Sequence, residues 1–516
     1  MNKIVGISRH HHAATAYLEN GEIDYFINEE RLCRFKGDGI PILGLLKLNN
    51  PITDLVVCGF KEPNDLSSEI DSETTFTLYD NLITKTVNQK QDLRVHNYWH
   101  SHHLMHAWGA FYNSGFSNAV SMVFDGSGSY YIDGREIESH YLMNYPAKSK
   151  LLFKKTNKNE RSLGLLYSII TAHLGLGEGM YAEFNAGKTM GLASYGKPLD
   201  IDWNDFLKGE NNLYFDSKNM KNFDVASNVA ASLQHYTQTK LLESVKHRIE
   251  ETGIKNICLS GGYILNCVSN FNLIKNLPKD VNIYIEPVSA DNGTALGGAK
   301  FVHHKTTNDY TKRPQNTLYY GFKYDNIEDK IKNYKTRKVT KDEVAKILEK
   351  EVVAIWQGRS EQGPRALGNR SILFNPRLQD GKDIVNKIKN REWFRPFAGT
   401  ILHKYTKDYF DMAGLDESPF MTYAVDVKKE KIKEIPAITH IDNTCRVQTL
   451  KREFNVHYYE LIEEFFKLTG TPILLNTSFN LAGDPMVETI EDALDTLNRS
   501  ELKYIYLPEL NTLIEK

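Results

Sequence analysis

The chain has 516 residues, 41% of them hydrophobic and 25% charged, with a formal net charge of −2 and a pI near 6.8. That length exceeds what a single core organises comfortably, so two or three domains are expected. The near-neutral balance excludes a global basic field for nucleic acid or membrane, leaving only a local groove for such partners.

The opening MNKIVGIS starts a strand at once and lacks a signal-peptide apolar region, and no apolar run reaches transmembrane length. A cytoplasmic protein with no membrane partner is therefore expected. IVGIS (4–8), AATAYL (13–18) and IDYFIN (23–28) read as strands, the last two joined across ENGE as a hairpin. DLVVCGF (54–60), AVSMVFDGSGSYYI (119–132) and NICLSGG (256–262) each run β-rich residues into a glycine turn. That pattern predicts a mixed α/β domain with ligand loops at strand ends. HHKTTNDYTKRPQN (303–316) is polar and aperiodic, a linker, and places a domain boundary near 310. Beyond it come helical VTKDEVAKILEKE, strand VVAIWQG and the buried strand PILLNTS. Cys33, Cys58, Cys258, Cys267 and Cys445 are scattered and form no CxxC pair, so they read as core thiols in a reducing compartment.

Between these elements lies WHSHHLMHAWGAF (99–111). On a helix, His102 and His106 share one face, but His96 and His100 have the same spacing and His103 is three residues from His106. Spacing alone does not choose among them. No HExxH is present, so a zincin-type protease lacks its general base. Asp125, which opens DGSGS, and Asp291, in SADNGTALGGA, each stand at a turn. Each could simply cap that turn, but with two histidines they compose a site suited to iron, manganese or zinc. DGSGS, LSGGYILN and DNGTALGG each place backbone amides near a predicted helix start, where phosphate binds without a Walker lysine. Three such turns after buried strands fit the actin, hexokinase and Hsp70 superfold.

In order along the chain, GISRHHHAATAYLENG, EERLCRFK, HHLMHAWGAFYNSGF, VFDGSG, GKTMGLASYGKP, LSGGYILNCVSN and EPVSADNGTALGGA are followed by EQGPRALGNRSILFNPR, KNREWFRPFAG, DNTCRVQTL and TPILLNTSFNLAGDPMVET. With these motifs the sequence resembles the O-carbamoyltransferases of antibiotic and nodulation-factor biosynthesis. The resemblance implies an α/β protein of two parts. Residues 1–310 would form an actin/hexokinase/Hsp70-like (ASKHA) metal domain akin to the tRNA threonylcarbamoyl transferases, and residues 311–516 a YrdC-like domain. It implies an ATP-dependent enzyme in which carbamoyl phosphate and ATP, with Mg2+, give carbamoyl-adenylate and pyrophosphate at the YrdC-like site. An acceptor hydroxyl then displaces AMP at the metal domain.

The resemblance puts the metal ligands on His102, His106, Asp125 and Asp291, with Fe2+ or another divalent ion, and implies that the metal acts as a Lewis acid. It makes His11 the candidate general base and lets Lys36 and Lys188 reach nucleotide or acceptor phosphate. Gly126 and Gly128, Gly261, Gly262 and Asn266, and Gly293, Gly297 and Gly298 match the nucleotide turns. Arg365, Arg370, Lys389, Arg391, Arg395 and Arg446 fall in the C-terminal motifs, where clustered guanidinium groups suit a triphosphate and carbamoyl phosphate. Ser478 could donate to a phosphate or carbamoyl oxygen. Two positions depart from the family: His12 stands where an aspartate is usual, and Ala186 where an acid usually precedes Gly187-Lys188. Both bear on the acceptor. A small-molecule alcohol or sugar is the implied acceptor, and a hydroxymethylated pyrimidine nucleotide or DNA the alternative, given the Lys- and Asn-rich composition. A homodimer is compatible with the resemblance. Competing readings are a sugar-type kinase of the same superfold, which would release ADP, and a nucleotide- and metal-binding regulator without turnover.

Overall fold

A computed structural model describes residues 2–9, 11–59, 72–89, 93–158, 160–177, 179–203 and 221–516. The chain divides into two compact units. The first comprises Met1–Thr189, Pro198–Asn266 and Leu277–Gln315, and the second Met190–Lys197, Cys267–Asn276 and Asn316–Lys516. Two stretches from the first 310 residues thus count with the second unit. One of them, a helix over Cys267–Asn276, is fixed there by Asn270, whose side-chain amide donates to Thr422 O at 3.1 Å.

The first unit is α/β and contains two mixed sheets. In one, β1 (Lys3–Ser8) pairs antiparallel with β2 (Ala14–Glu19) and parallel with β4 (Asp54–Cys58). β3 (Glu22–Asn28) and β5 (Arg94–Asn97) complete the order β3-β2-β1-β4-β5. The expected hairpin forms across Asn20 and Gly21, both at positive φ. In the other sheet, β6 (Asn118–Phe124) runs parallel to β10 (Asn256–Ser260) and antiparallel to β8 (Gly134–Asn144). β7 (Tyr130–Tyr131) and β9 (Lys148–Thr156) join β8, and β11 (Asn282–Ile285) joins β10.

Two helices lie between these sheets. α1 (His102–Ser114) packs on β6, β8 and β10, and α2 (Asn292–Thr306) on β1, β2 and β4. Both are buried nearly all round, which explains their many apolar and small residues. They approach closely at Gly297, where a Cβ would stand 2.2 Å from Met105 O. Only glycine admits that crossing, and the crossing brings the start of α1 to the start of α2. His303 and His304, expected in a linker, are instead buried on α2, and the segment after Thr306 is pinned by Asp309 to His303 and Arg313.

The second unit holds a ten-stranded mixed sheet among the described residues. Its expected elements are present: a helix over Lys341–Leu348 entered through a Thr340/Glu343 capping box, and strands Val353–Trp356 and Ile473–Ser478. Val344, Leu348, Ile355, Leu373, Leu461, Phe465 and Leu474 form its core. Among the described residues, no helix is long and apolar enough to cross a membrane.

Candidate metal centre and arginine cluster

The helix crossing assembles a buried centre from four residues that are distant in sequence. His102 and His106 occupy one face of α1, Asp125 follows β6 directly, and Asp291 precedes α2. His102 Nε2 lies 3.2 Å from Asp125 Oδ2 and 3.6 Å from Asp291 Oδ1. His106 Nε2 lies 3.6 Å from Asp291 Oδ1 and 3.2 Å from His102 Nε2. One ligand atom from each residue falls within 4.8 Å of all the others. Asp291 makes no side-chain capping bond, so its carboxylate is directed to the centre rather than to the helix end. Two imidazoles and two carboxylates, all buried, fit a divalent transition metal.

The electrostatics agree with that fit. Burial disfavours a charged His102, but Asp291 and Asp125 outweigh it and push its pKa up to about 10. Asp125 is held down to about 2, because the histidines prevail over burial and Asp291. Without metal, the carboxylates are thus compensated by a proton that a metal would displace. Supporting contacts orient the ligands. Ser260 Oγ is 3.2 Å from His106 Nδ1, and the Gly262 N–H donates to Asp125 Oδ1 at 2.9 Å. His103 points elsewhere, with Nδ1 2.9 Å from Ser139 Oγ, and burial lowers it to about 4 despite Glu136. Buried Glu136 also accepts from the His103 and Ser129 N–H groups. Ser260 and Glu136 escaped the sequence reading; Ser260 could have been found, since it opens the SGG turn at a strand end. His96 is on β5 with Nε2 2.8 Å from Asp54 Oδ1.

Beside the centre, His11 Nε2 lies 3.2 Å from Asp291 Oδ2. His12 is kept neutral, its pKa lowered to about 4 by burial and by His11; the charge of the exposed Lys36 also reaches it. Lys188 is half-buried on the helix Ala186–Ala193.

The glycine turns divide in role. DGSGS leads into a strand pair rather than the expected helix, because Tyr130 and Tyr131 pair with Arg135 and Gly134. Gly128 therefore gives its N–H to Glu136 O at 2.8 Å. Gly126 has open space beside its Cα. Gly261, at φ +96°, turns the chain out of β10, and Asn266 pairs with Gln234 through its side-chain amide at 2.9 Å. Gly293 donates to Ala290 O at 2.9 Å, and Gly297 serves the helix crossing; both are accounted for by packing and turn geometry.

In the second unit, Arg365, Arg391, Arg395 and Arg446 form one cluster. Burial lowers Arg365 to about 9, with Arg446 and Arg395 adding to the effect. Burial, Arg395 and Arg446 likewise push Arg391 well down. Glu392, 3.6 Å from Arg395 Nη1, opposes this in part. Arg446 Nε is buried without a hydrogen-bond partner among the described residues. Mutually repelling guanidinium groups stay charged at neutral pH, so such a cluster suits a ligand with several negative charges.

Two cations expected in this set are used otherwise. Fully buried Arg370 donates to Gln357 O, Asn369 O, Gly358 O and Glu488 O and stacks 4.2 Å from the Trp356 ring. Lys389 donates to Ser478 O, Asn480 O and Asn480 Oδ1 at 2.5–2.9 Å. Each ties loop carbonyls together. The Ser478 hydroxyl donates to Asn480 Oδ1 at 2.6 Å.

The family profile described as Carbamoyltransferase C-terminus matches residues 344–516, and Carbamoyltransferase N-terminus matches residues 66–226 and 204–300. An uncharacterized protein of Synechocystis sp. is 32% identical over 98% of this chain and 96% of its own. The nodulation protein NolNO of Sinorhizobium fredii is 34% identical over 78% of this chain and 62% of its own. Among solved structures, HypF of T. kodakarensis aligns with 59% of this chain and 48% of its own, at 12% identity and a TM-score of 0.37.

Proposed function

Because this chain belongs to the carbamoyltransferase family and is an enzyme of that kind, we propose that it is an ATP-dependent O-carbamoyltransferase working in two steps. Residues 311–516 activate the carbamoyl group and residues 1–310 transfer it to a hydroxyl. Atom balance sets the first step. Water cleaves carbamoyl phosphate to carbamate and inorganic phosphate; a carbamate oxygen then attacks the α-phosphorus of Mg-ATP, and pyrophosphate leaves.

The observation that carries this reading is the cluster of Arg365, Arg391, Arg395 and Arg446, whose charge calls for a polyanion. Bidentate guanidinium contacts hold phosphate oxygens in fixed directions and offset the charge that builds up during transfer. Arg370 and Lys389 contribute by fixing the loops around the cluster.

For the second step, His102, His106, Asp125 and Asp291 hold a divalent metal, iron(II) in our reading. Bound there, the metal supplies Lewis-acid polarisation of the carbamoyl carbonyl. His11 takes the acceptor proton, and Lys36 and Lys188 supply positive charge for the nucleotide or for an acceptor phosphate. The acceptor is a small-molecule alcohol of the sugar type; a hydroxymethylated nucleotide is the competing acceptor. Arg446→Ala should lower carbamoyl-phosphate-dependent pyrophosphate release by roughly 100-fold or more. A wild-type rate in that variant would remove the cluster from the reaction.

A further inference from the structure

Arg365 rides on a loop that one buried carboxylate gathers from within. Between Glu361 and the strand Arg370–Phe374 the chain forms neither helix nor strand, and Gly368, at φ +112°, packs so closely on Tyr458 that a Cβ would stand 2.2 Å from its ring. The N–H groups of this loop turn inward to Glu361, which is fully buried. Its Oε1 accepts from the Leu367 N–H at 2.5 Å and, at longer range, from the Asn369 and Arg370 N–H groups at 3.3 and 3.4 Å. The carbonyls are taken up by other donors. Leu367 O accepts from the Tyr319 hydroxyl at 2.8 Å and from Gln448 Nε2 at 3.0 Å, and Gly368 O from Gln357 Nε2 at 2.8 Å. Within residues 361–370, Pro364 and Arg365 alone are not buried, so the fixed loop presents the Arg365 side chain at its crest.

We propose that Glu361 is the positioning residue for Arg365 in carbamoyl activation, a claim that rests on the activation step proposed above. A buried carboxylate is costly unless it is hydrogen-bonded, so the loop is stable when its N–H groups close on Glu361. Bonds to a carboxylate are stronger than bonds to a neutral oxygen, which gives this acceptor more hold on the loop than an amide would have. Glu361 thus acts on the backbone and, through it, on the direction of Arg365. In the activation step the carbamate oxygen bonds to the α-phosphorus and the bond from that phosphorus to the bridging oxygen breaks. Pyrophosphate leaves with the electron pair. A guanidinium held in one direction meets the phosphate oxygens as their charge shifts, whereas one on a slack loop must first be ordered.

The test is a double-mutant cycle in the full chain with Glu361→Gln, Arg365→Ala and the two together. It is read by pyrophosphate release from Mg-ATP and carbamoyl phosphate and by the Kd of Mg-ATP in calorimetry. Glu361→Gln keeps the shape and an acceptor oxygen but removes the charge, and should lower pyrophosphate release about tenfold. In the Arg365→Ala background the same change should cost less than about twofold, because the residue it serves is gone. A merely structural role would cost as much in either background. Tyr319→Phe, which removes a donor from Leu367 O, should show the same coupling to Arg365, and it decides the matter if Glu361→Gln does not fold. Losses that multiply in the double variant, or a wild-type rate in Glu361→Gln, overturn the proposal. Absent pyrophosphate release from the wild type would instead sink the activation step, while the cycle in Kd still decides whether Glu361 acts through Arg365.

Discussion

At the residue scale, the choice among histidines turns on geometry that spacing does not contain. The 102/106 and 96/100 pairs have equal spacing, and the motif order selected the first; the structure shows why the second is unsuitable. His96 is committed to Asp54 on a strand, whereas His102 and His106 share a helix face opposite two aspartates. His103 lies on the same helix but is turned to Ser139. His102→Ala should therefore abolish stoichiometric metal binding, and His103→Ala should retain it, as read by metal analysis of purified protein. The same centre fixes a pH dependence. His102 holds a proton up to about pH 10 without metal, and binding must expel it. Affinity should thus rise about tenfold per pH unit through the neutral range, with one proton released per metal in calorimetry across buffers. A flat pH response would mean that His102 is not a ligand.

At the scale of elements, strands and helices were legible wherever pattern and turn chemistry agreed. The hairpin across Gly21 and the capped helix after Thr340 are examples. The DGSGS turn was misread because a glycine turn after a strand looks alike whether a helix or a strand follows. Tyr130 and Tyr131, two β-formers, decided it. The carbonyl contacts of Arg370 and Lys389 were hidden for a related reason: a cation among glycines serves equally to bind phosphate or to gather loop carbonyls, and only the fold reveals which oxygens surround it. Glycine spacing also hid the role of Gly297, which belongs to a helix crossing. Gly297→Ala should cost roughly 1–3 kcal/mol of stability by overpacking. By parting α1 from α2, it should also weaken metal binding, so thermal unfolding and metal content should fall together. Loss of stability with full metal occupancy would show that the crossing does not hold the centre.

At the scale of the whole molecule, the motif order carried the family, while the contacts that define the two units were hidden in the sequence. Nothing in the pattern of Cys267–Asn276 announces that it counts with the second unit; its partner, Thr422, is 152 residues from Asn270. The two units hold two different chemistries: a buried N2O2 centre suited to a metal in one, and a cluster of guanidinium groups suited to phosphate in the other. The two-step carbamoyl transfer we propose would use both. The most direct measurement is 31P NMR of the metal-loaded full chain with Mg-ATP and carbamoyl phosphate. ATP should give AMP and pyrophosphate, with inorganic phosphate released alongside, and only when carbamoyl phosphate is present. ADP as the sole nucleotide product, or ATP left intact with carbamoyl phosphate present, would contradict activation through an adenylate.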